Sequence, residues 1–470
     1  MSAGVSVEIA IMVATTDRSE QLACLCEDIA AAARHGEFGV TLGLVENSRS
    51  SESRDANRAT AARLRARDVN VIVYGAFPGG ASIGGARSMQ RELLRDMIAE
   101  GMRPRLIWML DDDLRLSRLC VNEGSLVHEP WVDPIGALLE VGRNSDAPDV
   151  LVGTVHGDPP IPAVATWASR MEDLVSNVAW MIAAGPEMPW CTDAVTVRRL
   201  AEPDYYYDYG GHGEASEAAR WLPREQGQSA GRALRDMLVE ALALPFGIGF
   251  TRPLIGASAS ASQTISVTGP ARVRGGNAVF FDAAACLEHS YPVPEVAGFF
   301  VRRSDSIGLH LLQAAHGKSV VSSDFAVLHQ RARDSGQLGD ADEQLTHLVA
   351  DTLGAALTRA VEGADAPLLD KFVRGRVQQI EHALGRLRAA VKCLRLLAQR
   401  APRWVLDAGL VELFADSGPI AWLEANAPGL ASATLPEPVR SRLLTNALGD
   451  ELVTIAFELR RDAMAERSGS

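Results

Sequence analysis

The sequence predicts an α/β protein: a Rossmann-like, mostly parallel sheet with helices on both faces, followed by an all-helical C-terminal region. Three observations carry this. Short apolar runs alternate with helical segments from Val7 to Asp113. Each of the first two runs, and the run before Asp111, ends in polar residues, as strands do where a parallel sheet opens a ligand crevice. Beyond about Gly336 only helical periodicity remains. The expected division is therefore residues 1–335 and 336–470.

Taken in order, Val7–Ala14 (VEIAIMVA) is short, apolar and β-branched, as a buried strand should be, and it ends in Thr15-Thr16-Asp17-Arg18. Asp17, with Glu20 three residues on, is expected to cap a helix running through about Arg34. Val40–Val45 reads as a second strand ending in Glu46-Asn47-Ser48, Ala56–Arg67 as a helix and Val69–Tyr74 as a third strand. A glycine-rich stretch, Gly79–Gly85, leads into a helix from Ala86 to Glu100, and Leu106–Leu110 is a fourth strand running into Asp111-Asp112-Asp113. The middle is less regular. Val150–Val155 is a strand, Asp158–Pro162 a rigid turn, and 204–213 and 256–263 loops. Ala278–Phe281, Phe299–Arg303 and Ser319–Leu328 are extended, with a helix at Gly308–His316 and His329 closing the last strand. In the tail, Val373, Val377, Ile380, Leu384, Leu387, Val391 and Leu394 form a heptad seam.

Composition narrows the functional class. The 470 residues carry a charge of 46 − 59 = −13, with 47% hydrophobic and 22% charged residues, which is globular and not disordered. An acidic balance argues against nucleic acid as a partner. The six cysteines show neither CxxC pairs nor zinc spacing, so free thiols in a reducing compartment are expected. The N-terminus lacks a basic region ahead of its apolar run, and no apolar run approaches the roughly 18 residues that span a bilayer. These features predict a cytoplasmic protein.

The chemistry concentrates at Asp111-Asp112-Asp113. Three acids at a strand end repel one another, so something must offset them. Alternation along an extended chain places Asp111 and Asp113 on one side, where two carboxylates suit Mg2+ or Mn2+ and, through it, a diphosphate. The bland alternative is a solvated turn. The glycine-rich loop and Arg87 offer backbone N–H groups and a guanidinium to a phosphate, although the loop is neither GxGxxG nor GxxxxGK[ST]; a plain flexible connection explains it equally. Thr15, Asp17 and Glu46, at neighbouring strand ends, have the chemistry to hold a base and ribose, or are simply turn residues. Asp305, after Arg302-Arg303-Ser304, is either an arginine partner or a proton acceptor. His329 is either structural or a third metal ligand.

In this order, strand-TTDR, strand-ENS, the glycine-rich loop with Arg87, hydrophobic-DDD, RGGN, RRSD and the terminal-strand histidine resemble a GT-A glycosyltransferase. The likeness is to the large inverting group that includes galactofuranosyl- and polysaccharide-type transferases. It covers about residues 5–332, with an unaligned insertion at about 156–275 and with Ser304 before the aspartate. The resemblance implies Asp111, Asp113 and His329 as ligands of Mn2+ or Mg2+, and Asp305 as catalytic base. It implies Thr15, Asp17, Glu46, Arg87 and Asp112 as contacts to a nucleotide diphosphate-sugar donor. Trp190, Arg274, Asn277, Arg302 and Arg303 are the candidates on the side of the hydroxyl acceptor, where Trp190 has the shape to stack on a sugar, although a tryptophan is more often a buried core residue. Two other classes remain open: a non-catalytic nucleotide-sugar or carbohydrate-binding protein, and a nucleotidyltransferase. For the tail, packing within the chain is the expected use of the seam. Homo-oligomerisation, or peripheral contact of its basic face with an anionic membrane, is the alternative.

Overall fold

The computed structural model describes residues 7–35, 39–75, 80–122, 125–143, 147–158, 166–190, 227–242, 254–255, 264–270, 278–330, 341–426 and 434–469. Strands are β1 (Val7–Thr15), β2 (Gly39–Glu46), β3 (Asn70–Gly75), β4 (Leu106–Asp111), β5 (Leu114–Arg115), β6 (Ser117–Asn122), β7 (Ser125–Pro130), β8 (Val150–Gly157), β9 (Val267–Pro270), β10 (Val279–Asp282), β11 (Glu295–Val296), β12 (Phe299–Phe300) and β13 (Val320–His329). Nine of them form one sheet in the order β3-β2-β1-β4-β10-β8-β13-β5, with β9 on β13. β3, β2, β1 and β4 are mutually parallel, and β10 lies antiparallel between β4 and β8, so β8 and β13 run in the same direction as the first four. The sheet is thus mostly parallel, as the alternation of elements predicts.

Helices α1 (Ser19–His35), α2 (Ser51–Arg65) and α4 (Pro134–Arg143) cover one face; α3 (Ile83–Ala99), α7 (Ala283–Glu288) and α8 (Ser304–His316) cover the other. The period of two along β1 makes this explicit. Ile9, Ile11 and Val13 join Trp108, Phe280 and Phe325 on the first face, while Ala10 and Met12 join Ile107, Met109 and Phe281 on the second. All are buried, as strands covered on both sides require.

The helical part comprises α5 (Trp167–Ala184), α6 (Ala230–Leu242), α9 (Ala341–Glu362), α10 (Ala366–Arg400), α11 (Arg403–Asp407), α12 (Pro419–Asn426), α13 (Glu437–Leu443) and α14 (Leu448–Gly469). These share one apolar core that also takes in Ile307 and Leu311 of α8. Helices from the insertion and from the tail therefore form a single body. The seven seam residues on α10 are buried within the chain, against α5 among others, and the basic flank is partly paired: Arg386 with Glu172, Arg395 with Glu424, and Arg374 with Asn446. Among the described residues no helix is long and apolar enough to cross a membrane.

Candidate functional site

Register brings the site together. Pairing of Thr15 with Glu46 and of Ala14 with Asp111 sets the carboxyl ends of β2, β1 and β4 level. The next four residues supply what the sequence does not show. The chain turns at Asp112-Asp113 and re-enters the sheet as β5, antiparallel to the end of β13, with Leu114 opposite His329. A backbone hydrogen bond from Gln330 N to Asp113 O (2.9 Å) fastens that corner. His329, distant in sequence, is placed against the acidic turn by backbone alone.

The turn changes where the acids go. Alternation places Asp111 and Asp113 on one side, but the chain is not extended there, and the two carboxylates meet different partners. Asp111 Oδ1 accepts from Arg87 Nη2 at 2.5 Å. Asp112 Oδ2 accepts from Thr15 Oγ1 (2.9 Å) and the Thr16 amide (3.1 Å), and its Oδ1 from Arg18 Nη1 (3.1 Å). Asp113 Oδ2 accepts from Arg18 Nη1 at 2.7 Å and lies 3.2 Å from His329 Nε2. Burial pushes the Asp112 carboxyl up to about 7 against the pull of Arg18, and neighbouring Asp113 adds to the rise.

Arg87 is the site's buried cation, with a side chain 2% exposed. It rides on α3, whose N-cap Ser82 accepts from the Gly85 amide. Nη1 donates to Gln90 Oε1 (3.1 Å) and Leu110 O (3.3 Å), tying the guanidinium to the end of β4. Its Nε sits 3.5 Å from Asp305 Oδ1, so one arginine links Asp111 with Asp305. Burial would lower the guanidinium's pKa, but Asp111 and Asp305 outweigh it and the net direction is up. Asp305 itself occupies the first turn of α8, where the helix N-terminus favours a carboxylate. Gly84 lets this assembly close: a Cβ there would come within 2.2 Å of Val293.

Two of the expected donor contacts build loops. Asp17, in the left-handed region (φ 49°), accepts from the Arg49 and Ser50 amides at the start of α2, so it is not the cap of α1 that local spacing suggests. Glu46 accepts from the Ser48 amide and from Asn57 Nδ2. Asn47, which sequence reasoning passes over, clamps Ala81 by both amide atoms and ties the glycine-rich segment to β2. Arg18 is missed as well. Its signal is present in TTDR, but its partners lie 94 and 95 residues away.

On the acceptor side the structure redirects three candidates. Trp190 is 4% exposed and stands edge-on to Trp180 in the helical core, so it packs as a core residue and not as a sugar platform. Arg303 makes a bidentate pair with Asp351 of α9 (2.9 and 2.8 Å), directed to the helical body. Burial lowers the pKa of Arg302, whose backbone N–H donates to Ala350 O. Arg274 and Asn277 lie outside the described residues.

The residues present fit a divalent cation through Asp113 and His329. His329 Nδ1 lies 2.7 Å from Asp158 O, an atom that only accepts, so Nδ1 carries hydrogen. In the neutral ring, Nε2 then turns its lone pair toward Asp113 Oδ2. Two acceptors at 3.2 Å call for a second ring proton or a cation, and a carbonyl holding the far nitrogen is the usual support of a metal-ligating histidine. Asp111, held by Arg87, stands apart, and among the described residues no group of three or more His, Cys, Asp or Glu side chains is gathered for a metal. Asp113 and His329 would supply two ligands to a cation here, and water or substrate oxygens would supply the rest.

No protein-family model matches the chain, and no curated protein matches it. Solved structures do. The mannosyltransferase PcManGT from Pyrobaculum calidifontis, in complex with GDP-Man and Mn2+, is 10% identical over 96% of this chain and 87% of its own, with a TM-score of 0.38. Residues 1–349 of TarS from S. aureus are 8% identical over 99% and 92%, with a TM-score of 0.34. The mannosyltransferase Ktr4p from S. cerevisiae, in complex with GDP, is 11% identical over 34% and 42%, with a TM-score of 0.17.

Proposed function

We propose that the chain is a metal-assisted, inverting glycosyltransferase that moves a sugar from a nucleotide diphosphate-sugar to a hydroxyl acceptor. The observation that carries the reading is the link Asp111–Arg87–Asp305. A buried guanidinium joins the acidic strand end to a carboxylate at a helix N-terminus, beside the Asp113–His329 pair. That arrangement sets a guanidinium, and beside it a pair of groups suited to a divalent cation, next to a carboxylate able to take a proton. The motif order seen in the sequence and the placement of Thr15, Glu46 and Asp111 on one sheet edge support the same reading.

Each residue then has a task. Asp113 and His329 would hold Mn2+ or Mg2+, which would neutralise charge on the leaving diphosphate. Arg87 stays protonated and orients Asp305. Asp305 accepts the acceptor hydroxyl's proton on a carboxylate oxygen as that hydroxyl attacks the anomeric carbon in line, inverting it. Thr15 and Thr16 fix Asp112 at the end of β4 for the ribose. Asp17 and Glu46 act through the loops they brace, which frame the base side of the crevice.

The full-length chain incubated with Mn2+ and a panel of nucleotide-sugars tests this. Release of nucleoside diphosphate is expected, and Asp305→Asn should abolish it while donor binding persists. Pyrophosphate release would instead mean nucleotidyl transfer, and tight binding with no product would mean a binding protein.

A further inference from the structure

We propose that Arg18 is the resident counter-cation of the acidic turn and that a divalent cation reaches Asp113 only by displacing it. The inference rests on the metal reading above. Arg18 Nη1 bonds to Asp113 Oδ2 at 2.7 Å, and that same oxygen faces His329 Nε2 at 3.2 Å. The atom pair that suits a metal is thus already in contact with a positive charge. A dication and a guanidinium on one carboxylate oxygen repel strongly in a site this poorly hydrated. One must leave.

The structure says which moves. Arg18 sits one residue before α1, outside any regular element, and its side chain is 34% exposed. Its side chain therefore has a path to water, and the incoming cation replaces the charge it withdraws from Asp113. Arg87 has no such exit, being 2% exposed and bonded on several sides. Asp112, which loses Arg18 in the exchange, keeps its bonds from Thr15 and Thr16. The metal-free chain therefore neutralises its own acids, and Arg18 sets the cation concentration at which the site converts. A residue that merely supports a metal site weakens binding when removed. Arg18 should do the opposite.

Titration of the full chain with Mn2+, reading free Mn2+ by electron paramagnetic resonance, tests this. Arg18→Met and Arg18→Gln should each bind Mn2+ roughly tenfold more tightly than the wild type, the loss of one charge-assisted competitor. Arg18→Lys, which keeps the charge, should stay near wild type. Asp113→Asn should lose binding. Arg18→Gln retains hydrogen-bonding capacity and carries the test if Arg18→Met does not fold, as judged by circular dichroism. Unchanged or weaker Mn2+ binding by Arg18→Gln, with wild-type binding intact, overturns the displacement and leaves the metal reading standing. Absence of Mn2+ binding in every variant, or full binding by Asp113→Asn, overturns both.

Discussion

Arg87 holds two carboxylates at once, and its removal should leave a measurable deficit on each. In Arg87→Met the space is filled but the charge is gone. The buried side chain loses its bonds to Gln90, Leu110 and Asp111 and its ion pair with Asp305. Breaking a buried pair from one side costs about 3–5 kcal/mol. The side chains of Asp111 and Asp305 are 32% and 17% exposed, so water recovers part of this, and about 2–4 kcal/mol is expected. At about 2.1 cal/mol/K per residue, 470 residues unfolding together give about 1 °C per kcal/mol, so the melting temperature should fall by roughly 2–4 °C. The assay is urea and thermal unfolding of metal-free protein at pH 7 for the single variants and for Arg87→Met combined with Asp111→Asn or with Asp305→Asn. Each carboxylate removed in the absence of Arg87 should restore stability. The coupling to Asp111, at 2.5 Å, should exceed that to Asp305, at 3.5 Å. If both double variants are additive within about 0.5 kcal/mol, the guanidinium is not holding these groups and the reasoning fails.

Packing and charge give three further expected outcomes. Gly354 on α9 would place a Cβ 2.1 Å from Arg302 O, so Gly354→Ala, which in an exposed helix interior gains about 1 kcal/mol, should here cost several and lower the melting temperature. Leu387→Ala, in the covered seam, should cost about 2–5 kcal/mol with no change in sedimentation, because the seam packs within the chain. Stability should also depend on pH with opposing signs. Burial, with nearby Arg118 and Arg91, lowers His156 to about 4 and His289 to about 3, so their contribution is complete above pH 6.5 and is lost as pH falls toward those values. Asp112, raised to about 7, contributes below its usual value of 3.8 and loses that contribution as pH rises toward 7. Near pH 5 the three leave a net of about one proton, a slope of about +1.4 kcal/mol per pH unit. Asp112→Asn should roughly double it, and an unchanged slope in metal-free protein would refute the assignment.

What was legible in the sequence is what period and strand ends encode. Ile9, Ile11 and Val13 announce a strand covered on both faces, and Thr15, Glu46 and Asp111 lie level as polar strand ends should. The partners of those residues were not legible, because contact order hides them. Asp111 and Asp113 separate at a turn whose direction is set by the pairing of β5 with β13, more than two hundred residues downstream. Asp17 looks like a cap for the helix that follows it and instead serves one that begins at Ser51. Trp190 follows the commoner use of a tryptophan, a buried place in the core, which here lies between the insertion and the tail.

The helical body has a place in the site. Asp305 begins α8, and the residue before that helix's first turn, Arg303, adopts a left-handed conformation (φ 72°) that an arginine rarely takes unaided. Its side chain is gripped at two of its three nitrogens by Asp351 of α9, while the neighbouring Arg302 N–H is held by Ala350 O and the Arg302 carbonyl rests on Gly354. Neighbouring residues of one tail helix thus fix the backbone that delivers Asp305 to Arg87. This accounts for two arginines that the sequence offers to an acceptor: one holds the strained corner, and the other is half-buried beside it. It also separates two effects in Gly354→Ala. Lost stability alone would make α9 a packing element, whereas a lower kcat with an unchanged donor KM in protein that remains folded at the assay temperature would show that the tail sets the position of the base.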